Sequence, residues 1–563
     1  MSKPQKADDA DFLEWANLEI FNKQSVQPKT FQEMTSVKEI DRKINPTLFL
    51  IGGGEIGVEI GLAARQASPE WVVRGVVDAN EREPINNLPF YVNDVFPRPS
   101  EDYVTSAKEQ KNMDPFLCLP HERPYQIDLL VNDICIYEPD VVVLEDPFLD
   151  LPDWANLQNQ VQKRMKNKSP LFVPSPVEKI PSCGNIAQCD VFLNKKKMKD
   201  FLSKLGYTQH LLGTSERCIN IDKLREELDT TKANEYRVVK KAFEAFKGPV
   251  LFKPAQTSSG HGQFKVSKIE DLTSDLINKQ LDLYRKSKRV FNNQYLLERY
   301  VENKLETCII RAATEVTSTV LSKIYYKKYG EEEDLDDRYK GMSRLAWSLT
   351  APGQTEYWQL LLNVVEKISK YLKVPFLYVE FIIDLDNKEY YINEVSYRPD
   401  DAGFITSLSN EKDQFSLFVE SLDCMRRGVH QGTASLLPRY DEPKSYLCET
   451  LIPVKKIDFE KIRYLRLNYD ISPRGAVEEN NSRLKIYEKT LDIDKDERVM
   501  HGRVIGYIWH RKTEDGRTLL TKLIKDSDMI PDAGPDAVQR LIDTLPEKAR
   551  DLDKAFAFAH EES

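Results

Sequence analysis

Cysteine is scarce in this chain, with eight in 563 residues, and the eight are scattered. Cys183 and Cys189 are the closest pair, and no Cys-x-x-Cys or Cys/His metal pattern occurs. A disulfide framework and a zinc site are therefore not expected, and reduced thiols in the cytoplasm are the simplest interpretation. Long apolar runs are missing too. None approaches the ~20 residues of a membrane span, so no membrane partner is expected. The stretch from Met1 to Asp9 lacks the apolar centre of a secretory signal, which again points to a cytoplasmic protein. Positive charge is not in excess: the formal net charge is -10. That balance gives no support for nucleic-acid binding. The cluster Lys195-Lys-Lys197 reads as a local helix face. No internal repeat or long low-complexity tract is present.

What remains is a globular composition, 41% hydrophobic and 30% charged, in a chain too long for one ordinary core. Three or four domains are expected. Residues 1–46 form a polar extension with a short helix around Asp11 to Phe21. Strands at Thr47–Ile51, Trp71–Val77, Asp140–Leu144 and Leu171–Val173 alternate with helical patterns, which predicts a parallel, doubly wound sheet over 47–175. Within it, residues 84–125 are proline-rich and read as an irregular insertion. A lysine-rich helix is expected from Asn194 to Leu205, and a charged helical stretch from Arg217 to Lys247. Strands Val250–Phe252 and Tyr295–Glu298 belong to a small α+β lid at about 200–300. A further helix over Thr355–Leu372 precedes a hairpin. Residues 435–525 read as short strands of a separate β-rich unit, and 526–563 as a tail that is helical from Asp532 to Phe558.

The most informative segment is Lys253-Pro-Ala-Gln-Thr-Ser-Ser-Gly-His-Gly-Gln263, which follows an apolar strand. A lysine at a strand end, followed by a small flexible loop, suits phosphate oxygens: backbone N–H groups close over them and the lysine supplies a point charge. It is not a Walker A loop, because the lysine precedes the glycines. A solvated hairpin turn has the same composition. Two glutamates favour the phosphate reading. Glu380 lies in the strand-like run Pro375–Ile383 and Glu394 in Tyr390–Val395, with a turn between. Such a hairpin sets one carboxylate from each strand side by side, which is stable mainly with a cation between them. Oxygen ligands beside phosphates suit Mg²⁺. Asn393 and the compact polar loop Val395–Gly403, with Arg398 in it, adjoin that site.

Near the N-terminus, Gly52, Gly54 and Gly57 match G-x-G-x-x-G between a strand and a helix. Asp78 stands where a dinucleotide site places its ribose-binding acid. A nicotinamide-dependent oxidoreductase is thus a competing reading, as is a tight turn without a ligand. Glu55 inside the turn would repel a pyrophosphate and suits an amine better.

Together these motifs resemble the ATP-grasp superfamily, and within it the formate-dependent phosphoribosylglycinamide formyltransferases of purine synthesis. The resemblance runs from about Leu48 to about Tyr507. It rests on Gly52-Gly-Gly-Glu-Ile-Gly57, on Lys253-Pro with Ser-Ser-Gly-His-Gly-Gln263, on Glu298-Arg-Tyr-Val-Glu302 with Glu306, and on Asn393-Glu-Val-Ser-Tyr-Arg-Pro-Asp-Asp-Ala-Gly403. It implies an α/β and α+β multidomain chain. A Rossmann-like N-terminal domain (47–175) is followed by an ATP-grasp domain with its lid (176–434) and a small β-rich C-terminal domain (435–525). It also implies ATP and Mg²⁺ as cofactors, a small carboxylate such as formate and an amine as substrates, and a homodimer.

Site roles follow from the same resemblance. Lys195 and Lys253 reach the ATP phosphates, and Ser258, Ser259, Gly260, His261 and Gln263 form the closing loop. Glu298 and Val301 hold the adenine edge and Glu306 the ribose hydroxyls. Glu380 and Glu394 bind Mg²⁺. Gly54, Glu55, Ile56, Glu145 and Asp401 face the amine substrate, and Lys489, Arg498 and Arg503 its phosphate. Arg398 and Asp401, with Lys253, are the catalytic set. Two positions depart from the family. His261 stands where it has a lysine, which weakens a phosphate contact or makes it pH-dependent. Lys195 stands where it has an arginine, which loses a bidentate fork. The resemblance also sets the insertion after Asp78 and the lengthened C-terminal region beside the acceptor site, the regions that would change with a different acid or amine, and the His261 change permits a binding protein that kept the fold without efficient catalysis.

Overall fold

The structure is a computed structural model. It describes residues 45–52, 55–78, 94–95, 116–121, 126–145, 149, 151–176, 178–180, 186–213, 217–228, 234–256, 262–286, 293–302, 304–312, 315–322, 345–348, 356–384, 386–400, 414–428, 439–440, 446–454, 484–493 and 500–510. The helices expected at Asp11–Phe21 and Asp532–Phe558 lie outside the described residues. Three sheets organise the rest.

The first sheet comprises β1 (Thr47–Ile51), β2 (Val72–Asp78), β3 (Asp94–Val95), β4 (Phe116–His121), β5 (Val141–Leu144) and β6 (Leu171–Val173). Every neighbouring pair is parallel, in the order β3-β4-β2-β1-β5-β6. β1 and β5 are buried along their whole length, as expected for parallel strands covered on both faces. The covering helices include α1 (Glu55–Gln66), α2 (Ile127–Tyr137) and α3 (Leu151–Met165). From β1 the chain first builds outward through β2 and then returns to the other side at β5. The strand order therefore reverses between β1 and β5, where open α/β sheets leave a crevice.

The sheet extends further than the sequence suggests. Residues 84–125, expected as an irregular insertion, contribute β3 and β4, and β4 pairs with β2 from Val73↔Phe116 to Asp78↔His121. Phe116-Leu-Cys-Leu119 is a short apolar run among prolines and charges, so only its pairing with β2 reveals it as a strand.

The second sheet is antiparallel: β7 (Ile219–Asn220), β8 (Val250–Pro254), β9 (Phe264–Val266) and β10 (Gln294–Arg299), in the order β7-β10-β8-β9. Helices α4 (Gln188–Leu193) and α5 (Lys195–Lys204) lead into it. α6 (Ile221–Glu227), α7 (Asn234–Phe246) and α8 (Ser274–Lys286) accompany its strands. Its own core gathers Phe252, Phe264, Tyr295 and Ile277, with Phe252 and Phe264 stacked at 4.7 Å.

The third sheet has nine strands: β11 (Lys304–Ala312), β12 (Glu315–Ser322), β13 (Leu345–Ser348), β14 (Phe376–Asp384), β15 (Glu389–Ser396), β16 (Arg439–Tyr440), β17 (Tyr446–Val454), β18 (Leu484–Ile493) and β19 (Met500–His510). The order is β15-β14-β11-β12-β13-β17-β19-β18, with β16 beside β12. The C-terminal strands thus do not form a separate sheet. β17 continues the same sheet by pairing with β13. Helix α9 (Glu356–Leu372) covers β11 and β14, and α10 (Gln414–Arg426) packs on α1.

One apolar core joins the first and third sheets. Leu48, Leu50 and Val141 pack with Ile310, Phe376 and Tyr378 and with Phe415 and Phe418 of α10. The reversal point of the parallel sheet is thereby held beside the β14–β15 hairpin.

Candidate active site

The site begins with two capped or paired backbones that aim lysines inward. Asn194 caps α5: its side-chain oxygen accepts from the Lys196 and Lys197 N–H groups at 3.0 and 3.1 Å, a common way to satisfy a helix start. The Lys195 N–H donates to the Ala255 carbonyl at 2.8 Å, which docks this helix start against the end of β8. Lys195 and Lys199, four residues apart on one helical face, are both buried. Part of the lysine cluster therefore faces inward.

Lys253 extends from β8 and is buried. It lies opposite Leu296, so Glu298, two residues along β10, is its diagonal neighbour on the same face. Lys253 Nζ lies 3.7 Å from Glu298 Oε2, and Lys199 Nζ lies 2.9 Å from Glu298 Oε1. Glu298 is fully buried. Burial alone would push its carboxyl up, but Lys199 and Lys253 outweigh burial and hold it at about 2. Burial conversely pushes the Lys195 and Lys199 ammonium groups down, against the opposing pull of the carboxylates around them.

The hairpin completes the cluster. Glu380 and Glu394 are direct partners across β14 and β15. The register then shifts, with Phe381 opposite Ile392, so Asn393 is the extra residue of a bulge. Bulges re-aim side chains. Here Asn393 points inward, accepts from Lys253 Nζ at 2.9 Å and donates to Glu380 Oε1. Tyr378 donates to Glu380 Oε2 at 3.4 Å. Glu394 is the carboxylate that most favours the charged form of Lys195, followed by Glu298 and Glu380. The structure thus brings Lys195, Lys253, Glu298, Glu380 and Glu394 to one place, together with Lys199 and Asn393. Of these, Lys199 was given no role by the sequence motifs; its signal was the four-residue spacing from Lys195.

Other expected residues lie around that cluster or apart from it. Val301 packs with Leu212, Ile382 and Tyr391. Glu306 is buried on β11 and pairs with Lys304 at 2.9 Å. Gln263 is half-buried, next to Gly262 in the left-handed region at φ 72°. Ser258, Ser259, Gly260, His261, Asp401, Gly54 and Arg498 lie outside the described residues, and Glu55 is described as a backbone position only. Lys489 and Arg503 are also backbone positions; they face each other across β18 and β19, at the end of the strand order opposite β15.

A second group forms at the sheet-reversal crevice. Gly52 adopts φ 118°. A Cβ at Gly57 would stand 2.8 Å from the Gly52 carbonyl oxygen and 3.5 Å from Glu145 Oε2. Only glycine lets α1 approach the end of β1 this closely. Glu145, buried, continues β5, where its N–H donates to Ile51 O at 2.9 Å. Tyr397 donates its hydroxyl to the Leu144 carbonyl, and Phe192 meets its ring edge-on at 5.3 Å. Arg398 follows directly and donates to Pro399 O at 2.9 Å. Ile56, Glu145 and the start of the Arg398 loop are thereby neighbours.

Glu380 and Glu394 offer only oxygen donors, as a hard divalent cation requires. Among the described residues no group of three or more His, Cys, Asp or Glu side chains could hold a metal alone. Two carboxylates fit Mg²⁺, which takes few protein ligands and completes its shell with water and phosphate oxygens. Among the described residues no helix is long and apolar enough to cross a membrane.

No protein-family model matches the sequence. Curated relatives do. The formate-dependent phosphoribosylglycinamide formyltransferase of Prochlorococcus marinus is 23% identical over 396 residues, covering 69% of this chain and 78% of that protein. The protein of the same name from Haloquadratum walsbyi is 23% identical over 381 residues, 67% and 73% of the respective chains. Among solved structures, biotin carboxylase from Campylobacter jejuni superposes with a TM-score of 0.55 at 13% identity, covering 90% of this chain and 98% of that one. The ADP complex of an N5-carboxyaminoimidazole ribonucleotide synthetase gives 0.52 at 16% identity, covering 87% and 99%. In fold and in sequence, this chain resembles enzymes of the ATP-grasp type.

Proposed function

We propose that the chain is an ATP- and Mg²⁺-dependent ligase that activates a small carboxylate as an acyl phosphate and passes the acyl group to an amine, with formate and glycinamide ribonucleotide as the substrate pair. The observation that carries this reading is the contact of Lys253 with Asn393 and, through it, with Glu380. It joins the strand-end cation of the second sheet to the carboxylate hairpin of the third across one cleft. The second sheet would then act as the lid, and the parallel sheet as a Rossmann-like domain that presents the amine.

The chemistry follows from charge. Formate oxygen attacks the γ-phosphorus, the β,γ-bridging P–O bond breaks, and ADP leaves. Lys253 and Lys195 offset the repulsion between the anions. Mg²⁺, held by Glu380 and Glu394, would neutralise phosphate charge. The amine nitrogen then attacks the formyl carbon, phosphate departs with the C–O bonding pair, and the nitrogen gives up a proton to form the formamide. Water would destroy the acyl phosphate, so a closing lid serves the second step. Glu145, buried beside the Gly57 turn, would bind the amine substrate, and Arg398 would balance the acyl phosphate charge. The curated relatives carry the formate and glycinamide ribonucleotide assignment.

A different acid and amine would use the same site, and the insertion after Asp78 and the lengthened C-terminal region, read as lying beside the acceptor, leave room for it. An oxidoreductase using the Gly52–Gly57 turn would give the buried Lys253, Asn393 and Glu380 array no task. The test is ADP release with ATP, Mg²⁺, formate and glycinamide ribonucleotide. Release that requires both substrates supports the pair. Release with another acid and amine replaces the pair and keeps the chemistry. Absence of ATP binding together with tight NAD(H) binding overturns the reading.

A further inference from the structure

Asn393 occupies an unusual position between two opposite charges. Its oxygen accepts from the Lys253 ammonium at 2.9 Å, and its nitrogen donates to Glu380 Oε1. Chemistry dictates this orientation of the amide, because an ammonium only donates and an ionised carboxylate only accepts. The side chain is almost wholly buried, and so are Lys253 and Glu380. Opposite charges in such a setting attract far more strongly than in water. Take the amide away, and the ammonium and the carboxylate are left to close on each other. Lys253 already has Glu298 at 3.7 Å, so a second, direct pair with Glu380 would consume the rest of the positive charge that phosphates need and an oxygen that a metal needs.

We propose that Asn393 is a positioning residue, a neutral spacer that holds Lys253 off the Glu380 carboxylate and so keeps both charges available to a metal–nucleotide complex. The bulge is what makes the spacer possible. It inserts Asn393 into β15 without a cross-strand partner, while Glu394 keeps its pairing with Glu380. A regular register would send Asn393 and Glu394 to opposite faces. Few side chains meet the demand: leucine has the size without the polarity, and aspartate has no N–H for Glu380 and adds a third negative charge. The proposal rests on the reading of the cleft as an ATP and divalent-cation site.

The test reads binding rather than turnover. Mn²⁺ is titrated into the full-length protein with ADP, and free Mn²⁺ is followed by electron paramagnetic resonance. Asn393→Leu should weaken Mn²⁺ binding about tenfold, the low end of losses from outer residues of metal sites. In the Lys253→Met background no ammonium remains to close on Glu380, and the same Asn393→Leu change should cost less than about twofold. Asn393→Ser, smaller and polar, supplies the same comparison if the leucine variant does not fold. An equal loss in both backgrounds shows a merely structural role and overturns the spacer. If the unsubstituted protein binds Mn²⁺·ADP while Asn393→Leu has no effect, the spacer alone fails. If the unsubstituted protein binds neither Mn²⁺ nor ADP, the ligase reading fails with it.

Discussion

Two regions of this protein are built from different materials. The one between the second and third sheets is made of buried charge: Lys195, Lys199, Lys253, Glu298 and Glu380, packed so that each ion has an opposite neighbour. The crevice at the reversal of the parallel sheet is made of backbone: Gly57 against the Gly52 carbonyl, with Glu145 as its buried acid. The first region should therefore fail when a charge is removed, and the second when a single carbon is added.

The sharpest test of that contrast is Glu394→Gln. It keeps the side-chain shape and removes one carboxylate of the pair, so ATP turnover should fall by roughly a thousandfold, with the circular dichroism spectrum unchanged. Near-normal turnover would refute the metal assignment. Next comes Lys199→Met, which leaves Glu298 buried with Lys253 as the remaining close cation. Breaking such a pair costs about 3 kcal/mol, read as a lower urea midpoint. Adding Glu298→Leu to it should recover part of the loss, since a buried ion pair and an apolar pair of similar volume differ little in stability.

At the crevice, Gly57→Ala should cost about 1–3 kcal/mol, because its Cβ meets backbone that cannot step aside. It should raise the KM for the amine while leaving nucleotide affinity unchanged. If nucleotide affinity falls equally, the two regions are not independent.

The smallest effect concerns acid. Glu298 is depressed from its ordinary 4.5 to about 2 in the folded chain. A carboxyl with a lower folded value contributes stability above 4.5, and that contribution fades as the pH falls toward 2. Unfolding midpoints measured from neutral pH down to about 3 should therefore drop, and the drop should be shallower in Lys199→Met. An identical slope in both proteins would mean that Lys199 does not hold the carboxylate down.

Much of this architecture is legible in the chain because its signals are local. Thr47–Ile51 and Val141–Leu144 are short apolar runs ending at turns, and they become adjacent parallel strands. The Glu380 and Glu394 strands are close in sequence, so their pairing follows from one turn. The misread pieces depend on distant partners. β4 is a strand because β2 accepts it. Residues 446–454 join the large sheet because β13 offers an edge a hundred residues earlier. Lys199 shares a helical face with Lys195 by its spacing, but nothing in the helix announces its partner, Glu298, on a strand ninety-nine positions away.

Taken alone, the order of residues determined where the strands end, which carboxylates share a hairpin and which lysine follows an apolar run, because those outcomes depend on neighbours within a few residues. Tertiary structure alone decided that Asn393 stands between Lys253 and Glu380, and that Glu298 is ionised between two lysines. A buried charge takes its state from whatever the fold places within a few ångströms of it, and here those groups come from four separate stretches of chain.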